Sequence, residues 1–315
     1  MGEIHQLILQ HGRDRAREMV PREQKPLVDA AASVLADESR AMGITYSGFC
    51  LTALPHKRLS DDQTWRRDGH KVTLVVQPGV LLVGGKEKKF GVPYGSRARL
   101  ILLYLQTRAL QSNSREVELG ASMRDWMSRM NVSTGGQSYR DVKEQCNRLS
   151  ACHLTFFWDD ADSKGRGSKF AKDSIVVGGL TFTEEDERQG SLWEERVLLS
   201  ESFFKSLREH PVPVLESAIR QISSKSMAMD IYIWLAYRLH CLTEPTKISW
   251  QSLYAQFGAG YDEIRHFKTR FPETLKVAMN VYPEAKVEIG REGMTMHPSV
   301  PPIANDRRQA MLMGM

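Results

Sequence analysis

The sequence predicts an α+β fold made of two tandem winged helix-turn-helix domains, on three observations. Residues 91–158 run through a long apolar helix, a shorter helix and a basic helix before entering β structure. The same order returns from about residue 226. Between the two lie Pro211 and Pro213, where a domain boundary is expected. The predicted organisation is an N-terminal segment 1–44, a first winged-helix domain 45–210, a second 211–303 and a tail 304–315.

The first 45 residues contain Arg13, Arg15 and Arg17 and an Ala-rich helix candidate at 27–36. Neither is diagnostic. Residues 72–83 read as a hairpin turning at Pro78-Gly79. The apolar run at 95–110 is too short for a bilayer and suits a core helix. A polar break at 111–114 and an alternating strand, 116–119, lead to Gly120.

The next helix starts at Ser122. Its Met123, Trp126, Met127 and Met130 are spaced as one buried face. The turn at 131–136, with Gly135 and Gly136, supplies residues that tolerate positive φ. The third helix, 138–149, carries an apolar stripe of Tyr139, Val142, Cys146 and Leu149. Its other side then presents Arg140, Lys143, Glu144, Asn147 and Arg148. Arg and Asn match guanine and adenine edges in the major groove, and Lys and Arg neutralise phosphate. Strands at 152–158 and 174–182 follow, and the basic loop Lys164-Gly-Arg-Gly-Ser-Lys169 between them stands where a wing is expected. A further strand is expected within 192–199.

In the second half Ala228, Ile231, Leu235 and Leu239 mark a buried helix. Trp250, Leu253, Tyr254 and Phe257 then repeat the spacing of Met123, Trp126, Met127 and Met130, each set following a Ser. After a Gly258-Ala-Gly260 turn, Asp262 is a cap candidate for a helix with the stripe Ile264, Phe267, Phe271 and Leu275. Pro272 inside it predicts a kink or break. The outward residues are Arg265, His266, Thr269, Arg270 and Lys276, and residues 285–296 read as a second wing with Arg291 in its turn.

The candidate DNA contacts are therefore Arg140, Lys143, Asn147 and Arg148 on the first basic helix and Lys164, Arg166 and Lys169 in the first wing. In the second half they are Arg265, His266, Thr269, Arg270, Lys276 and Arg291. The 315 residues suffice for two domains, and a net charge of +5 permits a polyanion partner without requiring one. No signal-peptide pattern or long apolar run is seen, so a cytoplasmic protein with reduced cysteines and no membrane partner is expected.

No catalytic residue, cofactor or metal is expected. A strand-nicking enzyme needs a His-x-His pair, which is missing. Gly84-Gly85-Lys86 departs from a phosphate loop at Val80 and Glu87 and reads as a strand-end turn. Cys146, Cys152 and His153 lack a suitably spaced fourth zinc ligand. A winged-helix transcriptional repressor is the closest rival reading.

Several stretches resemble the plasmid-encoded replication initiator family of the RepA type. They are Tyr46-Ser-Gly-Phe-Cys with Ala53-Leu-Pro-His-Lys-Arg58, Gly91-Val-Pro-Tyr-Gly-Ser-Arg-Ala-Arg99, Arg115-Glu-Val-Glu-Leu-Gly120 and His297-Pro-Ser-Val-Pro-Pro302. The resemblance spans roughly residues 46–302. It implies a non-enzymatic protein that binds iteron repeats in double-stranded DNA at a plasmid origin, distorts the duplex and takes part in copy control. It also implies host initiator and replicative helicase proteins as partners, with monomers acting in initiation and homodimers repressing the protein's own gene.

Overall fold

The structure, a computed structural model, describes residues 2–159, 168–173, 175–178 and 196–303. It is an α+β protein of two compact units. One is Ile44–Pro211, and the other joins the residues before it to those after it. The first 43 residues are thus packed with the C-terminal third and do not form a segment apart. Helix α1 (Glu3–Met19) changes direction at Gly12, whose φ of +75° suits a residue without a Cβ. It packs on helix α2 (Lys25–Leu35) through Ile4, Ala16, Val20, Val28 and Ala31. Strand β1 (Met42–Tyr46) carries the chain into the other unit.

That unit continues with helix α3 (Ser47–Leu51) and strands β2 (Trp65–Gly69), β3 (Val72–Gln77), β4 (Gly79–Val83) and β5 (Lys86–Phe90). The expected hairpin at Pro78-Gly79 is not formed, because β3 and β4 belong to different sheets. The reversal lies instead at Gly84-Gly85, with φ of +57° and +75°, the two consecutive positive values that a tight hairpin turn needs. Helix α4 (Gly95–Gln111) is the core helix, and two polar residues buried on it have a structural task. Thr107 and Gln106 accept the Ile44 and Tyr46 N–H groups of β1 at 2.8 and 2.7 Å.

Strand β6 (Glu116–Glu118), helix α5 (Met123–Arg129) and helix α6 (Gly136–Ala151) follow. Ser122 caps α5 by accepting the Asp125 N–H at 3.1 Å, and Met123, Trp126, Met127 and Met130 are all buried. The turn into α6 takes its positive φ at Asn131, +54°, and neither Gly135 nor Gly136 has one. Strands β7 (His153–Asp159) and β8 (Ser168–Asp173) join the sheet β2-β3-β7-β8. Strands β9 (Val176–Gly178) and β10 (Arg196–Leu199) pair beside β6 in the order β6-β10-β9. Helix α7 (Glu201–Glu209) and strand β11 (Pro211–Leu215) lead back to the other unit.

There, helix α8 (Glu216–Gln221) precedes the buried helix α9 (Ser226–Arg238), strand β12 (Thr246–Ser249), helix α10 (Trp250–Phe257) and helix α11 (Ile264–Asn280). Ser249 caps α10 as Ser122 caps α5, accepting the Ser252 N–H at 3.1 Å. Helix α11 begins after Glu263, not at Asp262, and runs through Pro272 as one helix. Phe267 and Phe271 before the proline and Leu275 and Ala278 after it are buried, which holds both halves in line. Strands β13 (Val287–Ile289) and β14 (Gly293–Met296) complete the sheet β12-β14-β13. Gly293, at φ +155°, lies where a Cβ would strike the Ile248 carbonyl.

Both units therefore show helix, strand, helix, helix, strand, strand, with the last strand between the other two. The β7–β8 pair is an insertion in this order. The stretch expected as the first wing follows β7, so it joins strands of the four-stranded sheet, whereas the strands beside β6 are joined by residues 179–195. Lys164 and Arg166, and residues 179–195, lie outside the described residues.

Candidate nucleic-acid interface

On α6 Val142, Cys146 and Leu149 of the expected stripe are buried, and Tyr139 is half-buried. The opposite side is only partly open. Arg140 is exposed and donates to the Gln137 side chain at 2.9 Å, while Gln137 donates to Asp141 at 2.7 Å. Lys143 is half-buried. Asn147 and Arg148, expected on the DNA face, are both buried, Arg148 at 1% exposure.

Arg148 is held by distant parts of the chain. Its guanidinium donates to Glu144 at 2.7 Å, to Asp61 at 2.6 Å and to the Val92 carbonyl at 3.1 Å, and it lies 5.2 Å from the Tyr94 ring centre. Burial acts to raise the Asp61 carboxyl, but Arg148 and Arg58 outweigh it and hold it below the ordinary carboxylate range. Arg148 and Asn147 are thus closed off from solvent, and Arg148 acts as a structural clamp. Helical periodicity cannot reveal this, because the covering residues come from elsewhere in the sequence.

On α11 the outward face is open. Arg265, His266, Thr269, Arg270 and Lys276 are all exposed, and Lys268, which the sequence reading missed, joins them three residues from Arg265. Its signal was available in the same spacing. Arg265 pairs with Glu263 at 2.6 Å and Arg270 with Glu273 at 3.6 Å, both in open solvent where such pairs are weak. Thr269 turns its hydroxyl back to the Arg265 carbonyl, 3.1 Å away. Arg291 is exposed in the β13–β14 turn, and its carbonyl accepts the Trp250 indole N–H at 3.1 Å, which ties that turn to α10. Lys169 lies in β8 opposite Trp158.

Burial pushes Cys146 well above the ordinary thiol value and Cys152 up to about 12, which disfavours the thiolate form that binds metal. No group of three or more His, Cys, Asp or Glu fit to hold a metal occurs among the described residues. No helix among them is long and apolar enough to cross a membrane.

The stretches that carried the family resemblance do structural work. Arg99 donates to the carbonyls of Leu54 at 2.6 Å, Pro55 at 3.3 Å and Gly95 at 2.8 Å, locking the 53–58 loop to the start of α4. Pro55 in turn accepts the Gly95 N–H at 2.9 Å. Near the other end, Val300 accepts the Tyr282 hydroxyl at 2.8 Å and Pro302 accepts Arg40 at 2.6 Å.

In fold the chain is similar to domains 2 and 3 of RctB, at a TM-score of 0.51 and 11% identity over 82% of this chain and 98% of that one. A second structure of those domains, residues 155–483 of RctB, aligns at a TM-score of 0.45 and 13% identity over 78% and 93%. No curated protein matches the sequence. The family model of the plasmid-encoded RepA protein matches residues 92–252, from the segment before α4 into α10. The chain belongs to the plasmid-encoded RepA family of replication initiators.

Proposed function

We propose that the protein is a plasmid replication initiator that binds iteron repeats at its origin through two winged helix-turn-helix modules. One observation carries this reading: both units share the helix, strand, helix, helix, strand, strand order, and the third helix of that order presents cations to solvent, Arg140 and the half-buried Lys143 on α6 and Arg265, Lys268, Arg270 and Lys276 on α11. In such modules the second helix of the pair enters the major groove. Here α6 brings Arg140 and Lys143, and α11 brings Arg265, Lys268, Thr269 and Lys276. Two different modules in one chain suit direct repeats, whereas a repressor on a palindrome obtains two modules by dimerising.

The remaining steps are duplex distortion, recruitment of a host initiator and the replicative helicase in the cytoplasm, and repression of the protein's own gene by a homodimer. Family membership supports them. No chemistry on DNA is proposed, so origin DNA incubated with the protein, a divalent metal and ATP stays unnicked and free of covalent adducts.

Hydroxyl-radical footprinting on the DNA flanking the protein's own gene tests the reading. Two modules in successive major grooves protect roughly 20 base pairs per chain, and protection of a single turn excludes joint engagement. A repressor without an initiation role differs in one respect. An origin fragment then replicates whether or not the protein is supplied.

A further inference from the structure

The β4–β5 hairpin has no part in the two modules, yet its surface is unusual. Its register pairs Val80 with Lys89, Leu81 with Lys88, Leu82 with Glu87 and Val83 with Lys86. Alternation places Val80 and Leu82 on one face, where they are 53% and 70% exposed, while Leu81 and Val83 are half-buried and Phe90 is buried. Lys86, Lys88 and Lys89 are all exposed, and Glu87 is the single acidic residue among them. At the tip, a Cβ on Gly84 or Gly85 meets nothing within 4 Å.

An isolated two-stranded hairpin is marginal in water, so this one depends on its base. There β4 and β5 pack on α6, and Gly79 lies so close to the Ala151 carbonyl that a Cβ would strike it. Lysines alone serve to protect a strand edge from pairing. Two exposed aliphatic side chains on the same hairpin work against that purpose.

We propose that the β4–β5 hairpin is a further DNA-binding element, an arm beside α6 that contacts duplex DNA independently of base sequence. Cross-strand partners share a face, so Lys89 stands with Val80 and Leu82, and Lys86 and Lys88 stand on the other side. An arm lying in the minor groove thus turns a lysine to each phosphate wall, with Leu82 and Val80 against the apolar floor and sugar edges of the groove. The placement compensates α6. With Asn147 and Arg148 buried, that helix offers few cations of its own, and the hairpin begins at its closed C-terminal end. The inference rests on the reading of α6 as facing DNA, and charge complementarity selects DNA over a second copy of the chain.

The test uses the full chain and a mixed-sequence duplex several helical turns long, with affinity measured over a salt series. A Lys86→Ala, Lys88→Ala, Lys89→Ala triple variant lowers the log–log salt slope by about two to three, since each phosphate contact contributes about 0.9. Leu82→Ser weakens binding severalfold and leaves the slope unchanged. Thermal melts confirm that both variants are folded. If the triple variant is folded and its slope unchanged, while Arg265→Ala with Lys268→Ala still weakens binding, the hairpin proposal falls and the module reading stands. An unchanged slope with an altered sedimentation coefficient overturns it in favour of a protein interface. Failure of the unmodified chain to bind any duplex overturns both.

Discussion

Arg148 and Asp61, 87 positions apart, form a 2.6 Å ion pair beside the C-terminal turn of α6. The pair anchors the segment that holds Asp61 to the helix proposed to enter DNA. Arg148→Met removes three charge-assisted hydrogen bonds and lowers stability by about 2 to 3 kcal/mol, as expected for bonds to a charged group whose partners keep some solvent. Urea unfolding measures this. Once corrected for the folded fraction, DNA affinity is unchanged. A large loss of affinity in fully folded protein would return Arg148 to the DNA face.

The cations that α6 and α11 present to solvent, Lys143 in part, fall into two classes that respond differently to salt and sequence. Lys143→Ala and Lys276→Ala each lower the salt slope by about one and weaken all DNA alike. Arg265→Ala and Arg140→Ala each cost about 1 to 3 kcal/mol on repeat DNA and narrow the gap to random DNA. Arg265 must first leave Glu263, so Glu263→Gln raises affinity for both DNAs. Binding measured on both duplexes separates the classes, and no change in any of these variants refutes the face assignment.

His5 joins α1 to the end of α11. Its Nε2 donates to the Asn280 carbonyl at 2.9 Å, Asn280 donates to Leu27 at 2.5 Å, and His5 Nδ1 is buried without a hydrogen-bond partner. Burial pushes its pKa below the ordinary value of 6.5, against the opposing pull of that carbonyl. The unfolded chain therefore gains a proton that the folded one refuses. Stability is complete above about pH 6.5 and falls as the pH drops toward the lowered value, below which the loss is constant. Urea midpoints across this window should show the decline, and His5→Gln should remove its histidine component. A wild-type midpoint that stays flat there contradicts the assignment.

Among the described residues strand β9 lies at the edge of the β6-β10-β9 sheet, where a second chain can add a strand. Val176 points inward at 3% exposure, so Val176→Lys would bury an ammonium and damage the fold. Val177, 52% exposed, is the usable position. Val177→Lys shifts a dimer through this edge toward monomer and increases occupancy of repeat DNA. Analytical ultracentrifugation with a thermal melt decides it: unchanged dimer content in a folded variant excludes this strand.

What the sequence determined alone was local. The 3.6-residue stripes predicted α5, α6, α9, α10 and α11, because an amphipathic helix has one way to hide its apolar side, and a continuous apolar run predicted α4. Ser122 and Ser249 marked helix starts because a hydroxyl there satisfies a backbone N–H that the helix leaves open. Only the tertiary structure decided what covers the remaining surface. It buried Arg148 beneath Asp61 and Val92, paired β4 with β5, and set β9 and β10 beside β6. It also packed the first 43 residues with the C-terminal third and kept α11 whole across Pro272. Each of these depends on contacts between residues far apart in the chain, where neither helical periodicity nor local turn preference carries information.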